Sequence, residues 1–306
     1  MIRGAFLVAS GLALLGAAAL SCSASRGSGF GGNDGTGASG GVIFQGGSGG
    51  GIFQGGNGGE GAGCSEEAKL VYVVGTGNEL YSFHPPTLAF QQVGIINCPG
   101  SNGATPFSMA VDRSSMAWVL FNDGQLFKVD IVNGAACTST NYLPNQVSGF
   151  NQFGMGFVSD TPGGSNETLY LGSYDGVGIA RFDFQSMTVV PVGAYDLLSG
   201  AAEMTGTGDA RLFGFFLSTP TIVAEIDKTN GHILSQAPQP TVDIGSAWAF
   251  AFWGGDFWLF TCPNMASSQV DQYRPSTQAT TTVVTNVGFE IVGAGVSTCA
   301  PVEPPT

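Results

Sequence analysis

Basic side chains are the scarcest resource of this sequence: nine Lys and Arg stand against 22 Asp and Glu, for a formal net charge of −13. An acidic surface repels phosphate backbones and anionic lipid head groups, which argues against nucleic acid as a partner. Charged residues of both signs make up only 10% of the chain, well below the ~25% of ordinary soluble domains. There are two histidines, His84 and His232, at unrelated positions, and no C-x-x-C spacing, so no metal site is expected. Both histidines read as solvent-exposed turn residues. P-loop, G-x-S-x-G and zinc signatures are missing, and no cofactor is implied. After residue 64 no 3.6-residue apolar period persists, which argues against a helical domain.

What the chain does contain begins with an address. Met1-Ile2-Arg3 is a short basic segment, residues 5–20 are apolar and uncharged, and the small residue Ser21 precedes Cys22. This is the layout of a secretory signal peptide over 1–21, and the apolar run is shorter than the ~20 residues of a membrane span. The run Ala19-Leu20-Ser21-Cys22 resembles a bacterial lipobox, with its leucine one place later than usual. The resemblance implies a lipoprotein whose Cys22 thiol is acylated, as by palmitate, and so bound to a lipid bilayer. Ser23 in place of aspartate implies the outer membrane; an ordinary cleavage site at Ser21-Cys22 would mean a secreted protein instead. Residues 22–63 are nearly half glycine and read as a disordered tether. The duplicated Ile43-Phe44-Gln45 and Ile52-Phe53-Gln54 within it read as linker repeats, the alternative being a docking element.

The globular domain is expected over 64–300, with a disordered tail at 301–306. Short alternating runs rich in Val, Phe, Tyr and Trp are separated there by Gly, Asp, Asn and Pro turns. Five segments share a strand–turn–strand outline. The clearest are Leu126-Phe127-Lys128-Val129-Asp130-Ile131-Val132-Asn133-Gly134 and Val223-Ala224-Glu225-Ile226-Asp227-Lys228-Thr229-Asn230-Gly231. The equivalent positions 84, 130, 183, 227 and 274 are 46, 53, 44 and 47 residues apart, close to the ~40–50 residues of a propeller blade. In the best copies an aspartate closes the strand and can hold the backbone of an Asn-Gly turn. This outline resembles the blades of bacterial PQQ-like and NHL-like repeat propellers over most of 69–299. The resemblance implies an all-β propeller and carries no activity.

Each copy is preceded by two further candidate strands, except the first, which begins at Leu70 and lacks an innermost strand. The segment 289–294 looks like an innermost strand with no blade of its own. Pairing the two closes the ring and removes both sheet edges. The expectation is five four-stranded blades in a monomer; a sixth would need a divergent copy hidden in 144–198.

Besides Cys22 there are Cys64, Cys98, Cys137, Cys262 and Cys299. Export permits disulfides. Ring closure brings Cys64 and Cys299 together, Cys98 and Cys137 fall at the outer ends of neighbouring blades, and Cys262 is left over.

Aligning the innermost strands on Met109, Met155, Met204, Phe250 and Ile291 puts Ser108, Gly154, Glu203, Ala249 and Glu290 at one level. Glu203 and Glu290 are then the carboxylates that a glycoside hydrolase-like enzyme would use, at ~5–9.5 Å separation. The plainer expectation is that both are solvated channel residues, and no catalytic residue is assigned. Trp248, Trp253 and Trp258 read as inter-blade packing, the alternative being an aromatic platform. Asn166-Glu167-Thr168 matches a glycosylation sequon by chance. The functional expectation is an envelope-anchored, non-catalytic propeller that binds a protein, peptide or glycan across its channel face. A structural subunit of an envelope assembly is the third reading.

Overall fold

The computed structural model describes residues 64–305. The signal-peptide, Cys22 and tether readings fall outside those residues.

Twenty strands form five four-stranded antiparallel sheets. The first blade takes β1 (Val71–Gly75), β2 (Glu79–His84) and β3 (Ala89–Ile95). The second is β4 (Pro106–Val111), β5 (Met116–Phe121), β6 (Leu126–Asp130) and β7 (Ala136–Ser139). The third is β8 (Phe153–Ser159), β9 (Glu167–Ser173), β10 (Ile179–Asp183) and β11 (Thr188–Gly193). The fourth is β12 (Ala202–Gly206), β13 (Leu212–Phe216), β14 (Thr221–Ile226) and β15 (Ile233–Gln239). The fifth is β16 (Trp248–Trp253), β17 (Asp256–Thr261), β18 (Gln269–Arg274) and β19 (Ala279–Val284). The last strand, β20 (Ile291–Val296), returns to the first blade and pairs with β1. The ladder runs Val71↔Val296, Tyr72↔Gly295, Val73↔Ala294 and Val74↔Gly293. The chain is a five-bladed β-propeller closed by its own C-terminal strand, and 144–198 holds one blade.

Alternation along each strand explains the core. Tyr72 and Val74 face the second blade, with Met109 and Val111, while Val71 and Val73 face the fifth, with Ala249 and Ala251. Every sheet is thus covered on both faces, and the apolar clusters lie between neighbouring blades. This is why the innermost strands are buried along nearly their whole length. Their small residues allow close approach: a Cβ on Gly154 would overlap the Ala202 carbonyl oxygen, and one on Gly295 would press on Ala110.

The aspartate turns form as the repeat implies. Asp130 accepts from the backbone N–H groups of Val132 and Asn133 at 2.9 and 3.0 Å, and Asp227 accepts from Thr229 N–H at 2.8 Å. In the first blade His84, exposed, takes the turn position and its Nδ1 lies 2.8 Å from Thr87 Oγ1.

Disulfides join Cys64 to Cys299, across 235 residues, and Cys98 to Cys137, across 39. The first ties the start of the domain to the residue group following the closing strand; the second staples the outer parts of the first two blades. Cys262 is fully buried with a free thiol. Disulfides of this kind mark a domain that folds in an oxidising, extracytoplasmic compartment.

The tail differs from the expectation of disorder. Pro301 carbonyl accepts from Gly254 N–H at 2.7 Å, and Val302 packs on the aromatic cluster between the fourth and fifth blades. Unpaired backbone next to an apolar surface is the physical reason: the tail satisfies Gly254 and covers Phe252 and Phe257.

Candidate ligand-binding face

The innermost strands all begin at one end of the ring, called the upper face here, and finish at the lower. The lower end is covered. Thr298 Oγ1 donates to Glu167 Oε2 in the third blade at 2.8 Å and accepts from Arg113 Nη1 in the second at 3.0 Å. Gly208 of the fourth blade lies against the Thr298 carbonyl, and Pro301 bonds to the fifth. Residues 298–301 therefore cross the lower mouth, with contacts to four blades. Glu167 also accepts from Arg113 N–H at 2.8 Å. Burial pushes its carboxyl up to about 7, against the pull of the Arg113 and Thr298 hydrogen bonds. The sequence drew attention to this residue only as the middle of a sequon.

The waist of the ring is bridged as well. Ser108 Oγ of the second blade donates to Glu203 Oε2 of the fourth at 2.9 Å, reaching past Gly154 of the third. Glu203 is 4% exposed, so the expectation of a solvated channel carboxylate is corrected. Burial holds its carboxyl well above the usual range, opposed only by the Ser108 bond.

Glu290 does not share this level. The ladder partners of Ser108, Gly154, Glu203 and Ala249 are Leu120, Gly172, Phe215 and Phe260, each the penultimate residue of its strand. In β1 that residue is Val74, and its partner is Gly293. A register shift between Val74 and Gly75 lets Ile291 pair with Gly75, so Glu290 precedes the strand. Its Oε1 accepts from Ser246 Oγ at 2.5 Å. The aligned pair of carboxylates is thus replaced by one glutamate and a glycine.

At the upper mouth three rings from three blades meet. Phe107 and Tyr174 have centroids 5.3 Å apart in an edge contact, and Tyr174 and Trp248 are 6.0 Å apart and stacked. Tyr174 belongs to the turn after β9 and leans over the mouth toward the fifth blade; it is 38% exposed. Trp248 is the one tryptophan of its cluster at the surface. Trp253 and Trp258 are buried between blades, their indole N–H groups bonded to the carbonyls of Lys69 and Trp253. Trp248 Nε1 and Thr261 Oγ1, on residues paired across β16 and β17, are enclosed without a hydrogen-bond partner among the described residues.

Beside Tyr174 lies a cleft of about 300 Å³ between the second and third blades, lined by Asn122, Asp123, Asn151, Gln152, Tyr174 and Asp175 among others. Gln152 Nε2 donates to the Asn122 carbonyl at 3.2 Å and Tyr174 N–H to the Gln152 carbonyl at 3.1 Å, which ties the cleft floor to the rim of the ring. Among the described residues every Lys, Arg and His lies at the lower end or within a strand: the upper hairpin turns and inter-blade linkers contain none.

No protein-family model and no curated protein matches the chain. Among solved structures it resembles the extracellular domain of BT4673 from B. thetaiotaomicron, at 15% identity and a TM-score of 0.39, over 76% of this chain and 29% of that one. A protein of unknown function from Bacteroides thetaiotaomicron VPI-5482 aligns at 13% identity and 0.45, over 72% and 59%. TolB from Acinetobacter baumannii aligns at 12% identity and 0.42, over 71% and 51%. The chain thus spans between 29% and 59% of the length of these proteins. Similarity this distant carries neither a ligand nor an activity.

Proposed function

We propose that the protein is an envelope-anchored, non-catalytic binding propeller, acylated at Cys22, carried on the segment 22–63 and presenting its upper face to a ligand. One observation carries the reading. The ring is bridged at its waist by the Ser108–Glu203 bond and crossed at its lower mouth by residues 298–301, while the upper face keeps an open, polar and aromatic concavity. A through-channel role is thereby disfavoured, and the ligand rests on the ring instead of entering it.

The hydrolase alternative loses support from the register of β20. Glycoside hydrolysis needs a second carboxylate near the first, and Gly293 occupies that position. A structural subunit would present a broad apolar face. The exposed apolar side chains of the upper turns and linkers, Leu143, Val177, Leu197, Leu217 and Met265, each come from a different segment and alternate with the polar cleft residues. Outer-membrane anchoring rests on the lipobox-like run and on Ser23, and secretion is its competitor.

Metabolic labelling with a fatty-acid probe tests the anchor: label should enter the wild-type chain and be absent from Cys22→Ala, and equal labelling would rule the lipoprotein out. For the non-catalytic reading, purified chain incubated with envelope glycans should leave their size distribution unchanged. Cleavage that disappears in Glu203→Gln would restore the enzyme.

A further inference from the structure

The geometry points to an uncharged glycan as the ligand of the upper face, one sugar ring stacking on Tyr174 with its hydroxyls bonded in the adjoining cleft. This rests on the binding reading above and names its ligand class.

The cleft offers what a sugar needs and little that other ligands need. Its walls carry amides, which both donate and accept, and carboxylates, which accept from hydroxyls, next to one exposed aromatic ring whose apolar face suits the C–H side of a pyranose. At about 300 Å³ it falls at the small end of ligand sites, with room for one or two sugar rings. Asn151 and Asp175 are exposed, and their side chains make no hydrogen bond among the described residues, so their bonding capacity faces outward.

The charge distribution narrows the class. The upper face has Asp123 and Asp175 at the cleft and no Lys, Arg or His in its turns or linkers. A phosphorylated, sulfated or uronic-acid glycan would meet these carboxylates without a counter-charge. A peptide is served poorly for a different reason. The exposed apolar side chains of the face, Leu143, Val177, Leu197, Leu217 and Met265, lie outside the cleft lining, and the concave part is polar.

A second aromatic ring continues this surface toward the ring axis. Trp248, half-buried at the upper edge of the seam between the fourth and fifth blades, is stacked on Tyr174. The Tyr174–Trp248 pair then forms a two-ring shelf leading from the cleft across the mouth.

The test uses the full acylated chain in detergent micelles on an array of neutral and anionic oligosaccharides. Binding should be confined to neutral glycans. Tyr174→Ala should weaken it by about tenfold or more with an unchanged melting temperature, and Tyr174→Phe should restore most of it. A preference for anionic glycans, or undiminished binding by a folded Tyr174→Ala, would overturn the assignment. A parallel capture from envelope extract separates the two levels of the proposal. If the array is empty and an envelope protein is captured in a Tyr174-dependent way, the glycan is wrong and the binding face stands. Silence in both would remove both.

Discussion

Ser108 and Glu203 lie 95 residues apart in the chain and on blades that are not neighbours, yet the serine hydroxyl donates to the glutamate carboxyl at 2.9 Å across the waist of the ring. Gly154, at the same level in the blade between, lets the Ala202–Glu203 backbone approach closely. The bond also defines what Glu203 is: a buried acid whose carboxyl desolvation holds well above the usual carboxylate range.

If Glu203 is neutral at ordinary pH, Glu203→Gln should fold with nearly wild-type stability, since the amide replaces an uncharged acid of the same shape. Ser108→Ala should cost about 1–3 kcal/mol by leaving a buried carboxyl without its partner. Urea unfolding of the two variants at pH 7 decides; a glutamine variant as damaged as the alanine variant would mean that the carboxyl is charged.

Glu167 gives a pH dependence whose sign is fixed by its direction of shift. Its folded-state value of about 7 lies above the ordinary 4.5, so the folded chain holds the proton more tightly than the unfolded one. The stability from this group is full below about pH 4.5 and is lost as pH rises through about 7. Glu167→Gln keeps an acceptor for Arg113 N–H and should flatten the curve between pH 5 and pH 8. Denaturant titrations across that range measure it.

The two disulfides should differ in worth. Constraint of the unfolded chain grows with loop size, so the 235-residue closure of Cys64 to Cys299 should exceed the 39-residue loop of Cys98 to Cys137 by about 1.5 kcal/mol. Thermal melts of Cys64→Ser and Cys98→Ser should rank in that order. The reverse order would mean that the ring holds without its closing bridge.

Close packing of innermost strands should make Gly154→Ala destabilising by about 1–3 kcal/mol, because the new methyl group meets the Ala202 carbonyl and the Glu203 backbone of the next blade. Gly103→Ala is the control for added bulk, since nothing lies within 4 Å of that position; its positive φ of 89° adds only a local backbone cost. Calorimetry on both separates packing from backbone strain.

Blade number and closure were legible in the linear chain because they follow from local chemistry. Alternating apolar residues make strands that bury both faces, and the turns Asp130 to Gly134 and Asp227 to Gly231 repeat at blade spacing. An innermost strand left over at one end must meet the blade that lacks one at the other. The cysteines at the two ends of that domain became a pair by the same logic. The level of Glu290 was not legible. Apolar matching places Ile291 level with Met109, but the ladder of β20 with β1 is set three residues further along, and only that register reveals that Gly293 stands where a glutamate was expected.

Tyr174 was passed over because it lies in a turn, Tyr174-Asp175-Gly176, outside the strand period that organises the rest. An aromatic residue in a turn where no core can receive it was the available signal. Whether such a ring faces solvent alone or joins Phe107 and Trp248 over one mouth depends on the radial placement of three blades, which no stretch of sequence contains. Strand patterns are set by neighbours one or two residues away, and so the chain determined its blades. The bridged waist, the covered lower mouth and the aromatic upper face join residues of different blades, and only the closed ring brings them within reach of each other.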